Sequence, residues 1–209
     1  MKSNQVDIAQ ILCSRLCHDI IAPISAINSG LELLSDSPGH DQDEVLKLIN
    51  MGAQSATAKL TLYRFAFGAT AGSQISSLQD AVPLIHQTVN LDKFKINTDL
   101  STPINIAEDV VAQWAQLILQ TTMILAESAP YGGEIHISTS AKNSVLLKLI
   151  SDNIILNQEN YDIMILGCER KQLSARNIIP YVINSSLNQL RVSMIKEKSD
   201  RELVFQIMS

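Results

Sequence analysis

Aromatic side chains are scarce. Four phenylalanines, four tyrosines and one tryptophan make up 4% of the 209 residues, so a core must be built from Ile, Leu, Val and Ala. Cysteine is scarcer still: three residues, an odd count, offer no disulfide framework and fit a reducing compartment. No run of Lys or Arg exceeds two residues and the net charge is −5, which argues against a nucleic-acid or anionic-membrane footprint. No apolar stretch approaches the roughly 18–20 residues needed to span a bilayer. The opening MKSNQVDIAQ lacks the charged-then-apolar layout of a signal peptide. What is present, 46% hydrophobic and 18% charged residues, is a globular composition, and the expectation is a cytoplasmic protein.

Along the chain, the first seventy residues differ from the rest. Apolar residues recur at Leu16, Ile20, Ile24, Ile27, Leu31 and Leu34, steps of three and four that mark a helical stripe. Pro23 falls inside it and is expected to kink or loosen the helix, because it lacks a backbone donor. Ser35–His40 reads as a turn. A second periodic stretch follows through Val45, Ile49, Gly52, Ala56, Leu60, Tyr63 and Phe67, with Asp41 and Asp43 at its start, where carboxylates favour a helix N-terminus. Two helices and a turn make a hairpin, which cannot enclose an apolar seam alone. Pairing of two copies into a four-helix bundle is the simplest way to cover it, so a homodimer is expected.

Gly68–Ser73 reads as a junction, which divides the chain into 1–70 and 71–209. The second part is expected to hold a short helix near Ser77–Val89, a strand near Phe94–Leu100 and a long helix over about Ala107–Ser128. Strands near Glu134–Thr139 and Val145–Ser151 flank a turn at Ala141–Asn143. A helix near Ala175–Ser186 precedes closing strands at Leu190–Lys196 and Glu202–Met208. Helices on one face of a mostly antiparallel sheet make a two-layer α+β sandwich.

The segment Arg15-Leu16-Cys17-His18-Asp19-Ile20-Ile21-Ala22-Pro23 carries the chemistry. At 100° per residue His18 lies about 165° from the apolar stripe, so its imidazole is expected in solvent. Ser14, Ala22 and Ser25 share that face and leave it uncrowded, while Ile21 at its edge is a large apolar residue off the seam, suited to docking a partner. Arg15, one turn earlier, is placed to offer a guanidinium to a phosphoryl oxygen. Asp19 is placed to accept a hydrogen bond from the imidazole, fixing its tautomer and leaving the other nitrogen as nucleophile.

These residues resemble the phosphoacceptor box of two-component histidine kinases: histidine, acidic residue, three variable positions, proline. If the resemblance extends, the second part is similar to the kinase ATP-binding (Bergerat-like) domain, and its element order agrees. Ala126-Glu127-Ser128-Ala129-Pro130-Tyr131-Gly132-Gly133 looks like the stretch leaving the nucleotide helix. Counting back, the asparagines that hold magnesium and phosphates in kinases fall on Gln120 and Ile124. Of the next box, Asp152 persists, but Ile154 and Leu156 stand where glycines admit the nucleotide. The glycine-rich lid is also missing, since Gly167 is the only glycine after Gly133.

A kinase-like dimer with a degenerate nucleotide site is the pattern of ChpT-type bacterial histidine phosphotransferases, which the whole chain resembles. The carrying segments are Ser14–Asp19, Ala26–Leu34 and Ala126–Gly133. The resemblance implies that His18 relays a phosphoryl group from the receiver domain of a hybrid histidine kinase to receiver domains of response regulators. It implies no cofactor held by this chain, with magnesium supplied by the receiver. The expected site is His18, Asp19 and Arg15, with Ser14, Ile21, Ala22 and Ser25 meeting the partner. A divergent ATP-dependent kinase or phosphatase, or a noncatalytic receiver-binding module, are the alternatives. Duller readings apply elsewhere: Cys13 and Cys17 are expected in the core rather than on zinc, and His40, His86 and His136 show no partner. Trp114, Leu117 and Leu125 are expected to pack the long helix on the sheet.

Overall fold

The computed structural model describes residues 8–36, 42–68, 75, 77–89, 93–140 and 143–209. Most of the expected turn at Ser35–His40, Asp41, most of the junction at Gly68–Ser73 and the turn residues 141–142 lie outside the described residues.

Helix α1 spans Ile8–Asp36 and α2 spans Gln42–Phe67. They pack as an antiparallel hairpin whose closest approach is made by glycines. A Cβ at Gly52 would sit 2.8 Å from Cγ1 of Ile27 and 2.9 Å from the Pro23 carbonyl oxygen, and one at Gly30 would sit 2.5 Å from Cγ1 of Ile49. Helix α1 runs through Pro23 without interruption. A proline cannot donate to the carbonyl four residues back, here that of Asp19. Lys59 Nζ on α2 donates to that oxygen at 2.6 Å.

The hairpin's internal seam (Pro23, Ile27 and Gly30 against Ile49, Gly52 and Ala56) is rotated from the stripe read in the sequence. Ile24 and Leu31 on that stripe remain 43% and 50% exposed. Cys13 and Cys17, expected in the core, are both exposed. They project from a flank of α1 away from the seam with α2, and among the described residues they are not packed against the core.

The second part opens with a tight turn at Leu78–Asp80 and α3 (Ala81–Thr88), followed by β1 (Phe94–Asp99). Then come α4 (Val111–Glu127), β2 (Gly133–Ser140) and β3 (Ser144–Ile150). Helices α5 (Gln158–Leu166) and α6 (Ile178–Leu190) precede the closing strands β4 (Ser193–Lys198) and β5 (Glu202–Met208). The sheet order is β1-β2-β3-β5-β4. Only the β1–β2 pair is parallel.

One face of the sheet is apolar in register. Ile135 pairs with Leu149 and Ile137 with Leu147, which in turn pairs with Phe205. All five are fully buried, as are Leu117 and Leu125 of α4, and Trp114 is 3% exposed. Alternation with period two thus sets one face against the helical layer, as the two-layer reading requires.

Three details depart from the sequence reading. Helix α5 was not anticipated. Helix α6 starts at Ile178, because Ser174 and Asn177 form a local turn in which Asn177 Oδ1 accepts from the Ser174 backbone N at 2.8 Å. The long helix starts at Val111, after a 3-10 turn at Glu108–Val110.

The two parts are joined by side chains of α4 that reach the last turn of α2. The final carbonyls of a helix have no partner within it. Gln116 Nε2 donates to the carbonyls of Phe65 and Gly68 at 3.2 and 3.1 Å, and Gln120 Nε2 donates to that of Ala66 at 2.7 Å.

Candidate functional site

The His18 side chain is 82% exposed, as its angular position on α1 predicts. Its Nδ1 lies 3.2 Å from Oδ1 of Asp19, which is only 17% exposed. The other carboxylate oxygen, Oδ2, accepts the Tyr63 hydroxyl at 2.7 Å and Arg15 Nε at 3.0 Å. Burial works to raise the Asp19 carboxyl. The hydrogen bonds from Tyr63 and His18 and the Arg15 charge outweigh it, and the group is held below the usual carboxylate range. An ionised carboxylate only accepts, so Nδ1 is the donor in this contact, and in the neutral ring the lone pair is then on Nε2.

Arg15 does not face an incoming ligand, contrary to the sequence expectation. Its side chain is 16% exposed. Besides Asp19, it donates to the Ala175 carbonyl at 3.3 Å and pairs with Glu127 at the end of α4. Each guanidinium nitrogen has an acceptor, because Asp19 on α1, α4 and the segment before α6 present oxygens on the flank of α1 where Arg15 points. Burial pushes the Glu127 carboxyl up, and the Arg15 charge opposes that shift. The same charge pair, against burial, keeps the guanidinium raised.

Ser14, Ile21, Ala22 and Ser25 are all exposed around His18, with Ile21 at 63%. The structure therefore brings together His18, Asp19 and this exposed rim, and moves Arg15 from the rim to the support beneath. Sequence reading missed Tyr63, Lys59 and Glu127. A signal existed for two of them: an antiparallel hairpin that sets residue 30 beside residue 49 sets residue 19 near residue 60. Nothing local marks Glu127, whose contact spans 112 positions.

His136 has a partner after all, with Nε2 3.2 Å from Glu134 Oε2. His86 is half-buried on α3, and His40 lies outside the described residues. Among the described residues, no three or more His, Cys, Asp or Glu side chains are grouped to hold a metal ion. None of the described helices is long and apolar enough to cross a membrane.

Of the positions that the kinase resemblance assigns to a nucleotide site, Gln120 and Ile124 are buried, Ile154 and Leu156 half-buried and Asp152 exposed. Gln120 and Ile124 are 2% and 3% exposed. Ile154 and Leu156 pack against the core, and Asp152 pairs with Arg201.

Protein phosphotransferase ChpT of Brucella abortus (strain 2308) is 50% identical over 76 residues, 35% of this chain and 35% of that protein. The chain resembles ChpT. The match spans about a third of that relative's length. A solved structure of a bacterial phosphotransferase superposes with a TM-score of 0.81 at 24% identity, covering 99% of this chain and 98% of the other, which establishes the shared fold. No family model matches. The architecture shared with that structure is a helical hairpin followed by a mixed five-stranded α+β layer.

Proposed function

We propose that this chain is a histidine phosphotransferase in which His18 carries a phosphoryl group between receiver-domain aspartates, with no ATP chemistry of its own. The observation that carries the reading is the pairing of an exposed imidazole with a supported carboxylate: Nδ1 of His18 on Oδ1 of Asp19, and Nε2 open to solvent.

In the proposed step, the Nε2 lone pair forms a bond to phosphorus while the bond from phosphorus to the partner's aspartyl oxygen breaks, and the electron pair leaves with that carboxylate. No proton has to move. The ring keeps its Nδ1 proton and gains imidazolium character directly against the Asp19 carboxylate, which stabilises that charge. Phosphoryl transfer of this kind depends on alignment and charge stabilisation more than on covalent help. Any magnesium belongs to the receiver's acidic pocket. Ile21, Ser14, Ala22 and Ser25 form the rim that meets the receiver, taken from a hybrid kinase as donor or from a response regulator as acceptor. The buried Gln120 and Ile124, and the bulky Ile154 and Leu156 where the resemblance expects glycines, support the absence of nucleotide binding, against a divergent kinase.

The homodimer is part of this reading. Cys17, Ile24 and Leu31 on α1 recur every seven residues, as do Leu46, Ala53 and Leu60 on α2, and all six are exposed. Two sevenfold-spaced apolar rows left open on one hairpin are what a bundle seam needs. Arg15, at about 100° per residue, points nearly opposite to Ile24, so the second part covers the other flank.

The test is to incubate the purified protein with phosphorylated receiver domains and, separately, with radiolabelled ATP. Acid-labile label acquired from a receiver and lost in His18→Ala supports the reading. Label from ATP alone, or none from any receiver, refutes it.

A further inference from the structure

We propose that Tyr63 is a positioning residue for His18, acting through Asp19; the inference rests on His18 being the phosphoacceptor. The Tyr63 hydroxyl and Arg15 Nε both bond Oδ2 of Asp19, at 2.7 and 3.0 Å, which leaves Oδ1 to face Nδ1 of His18 at 3.2 Å. Tyr63 is 7% exposed and its ring lies 5.3 Å from that of Phe67, so the phenol is held from α2 and does not reach an incoming phosphoryl group.

The support is needed because the carboxylate has room to turn. Asp19 and Tyr63 line a cavity of about 290 Å³ between the hairpin and α4, with Leu119 and Met123 on its far wall. The terminal torsion of an aspartate is broad, so packing alone does not choose which oxygen meets the imidazole. Two donors on Oδ2, one from α2 and one from Arg15, make that choice. Arg15 is anchored in turn by Glu127 and the Ala175 carbonyl. The second part of the chain therefore reaches the nucleophile through one arginine, and α2 reaches it through one tyrosine.

The experiment uses the whole 209-residue chain and its Tyr63→Phe variant, with two readouts. In ¹⁵N-histidine-labelled protein, long-range ¹H–¹⁵N spectra assign the His18 tautomer. In parallel, transfer from a phosphorylated receiver is split into rate constant and KM. The expected wild-type state is the Nδ1–H tautomer. The expected variant shows that population falling and the transfer rate constant dropping about tenfold with KM unchanged, the scale of losing one charge-assisted hydrogen bond. An unchanged tautomer and rate in folded Tyr63→Phe overturns the proposal. So does an Nε2–H tautomer in the wild type, which decides the matter even if the variant does not fold. Absence of label from every receiver refutes the phosphotransfer reading instead, and the spectra still judge Tyr63.

Discussion

On the kinase resemblance Gln120 stands where a magnesium ligand is expected, whereas in the structure it joins the two parts of the chain, and Gln120→Met separates these roles. Methionine keeps the length and removes the donor. The Ala66 carbonyl, on a residue with no exposed surface, then loses its 2.7 Å partner at the end of α2. Ser186 loses its acceptor, Gln120 Oε1 at 3.3 Å, but is half-buried and can turn to water. An unsatisfied buried acceptor costs about 1–3 kcal/mol. For a chain of this size, each kcal/mol shifts Tm by about 2–4 °C, so a fall of roughly 2–12 °C is expected. Thermal unfolding followed by circular dichroism measures it, with and without magnesium and ATP. A shift under about 1 °C, small beside the scale of one kcal/mol, refutes the structural role. Nucleotide that raises the Tm of the wild type but not of the variant would return Gln120 to a binding role, since ligands stabilise only the state that binds them.

Other outcomes are open to measurement. Leu31→Asp, at a position 50% exposed on the proposed bundle seam, is expected to give monomers in sedimentation with helix content retained; an intact dimer places the seam elsewhere. Ile21→Asp is expected to raise KM for the receiver while leaving Tm unchanged, because Ile21 is 63% exposed; a large loss of Tm contradicts the docking role. Asp19 has a folded-state carboxyl held below its usual range, so its contribution to stability is present at neutral pH and disappears as pH falls through that lowered value. The stability gap between wild type and Asp19→Asn should therefore close below about pH 4, and a gap that persists into strong acid argues against the network.

Helical and strand periodicity made most elements readable in advance. His18 opposite the stripe, and alternation in Ile135–Ile137 and Leu203–Ile207, are local patterns that tertiary packing did not override. Helix α5 escaped because its apolar residues, Tyr161 and Ile163–Leu166, crowd one end and give no stripe. The sign that was available was its cap, where Asn157 Oδ1 accepts from the Asn160 backbone N at 3.1 Å. The cysteines were misplaced because the stripe on α1 serves two neighbours: Pro23 and Gly30 face α2, while Cys13 and Cys17 face away. A single sequence does not divide a broad apolar face between partners. Arg15 was misread for a related reason. A cation beside a candidate nucleophile invites a ligand, and only the fold reveals that Glu127 and the Ala175 carbonyl are already there.

On the proposed reading, the substitutions at the kinase-like nucleotide positions of the second part carry a positive consequence. A kinase-like domain that delivers nucleotide to a histidine on a separate stem must be free to approach it. Here the domain is tied down on the stem, by Gln116 and Gln120 at the end of α2 and by Glu127 at Arg15. On the proposed reading the donor arrives on another protein, so nothing is lost by fixing the domain. Something is gained, because Glu127 and the Ala175 carbonyl anchor the arginine that also bonds Asp19. Substitutions that loosen the glutamine ties should then reach His18 in the same order as they reach α2, with transfer slowing before receiver docking weakens.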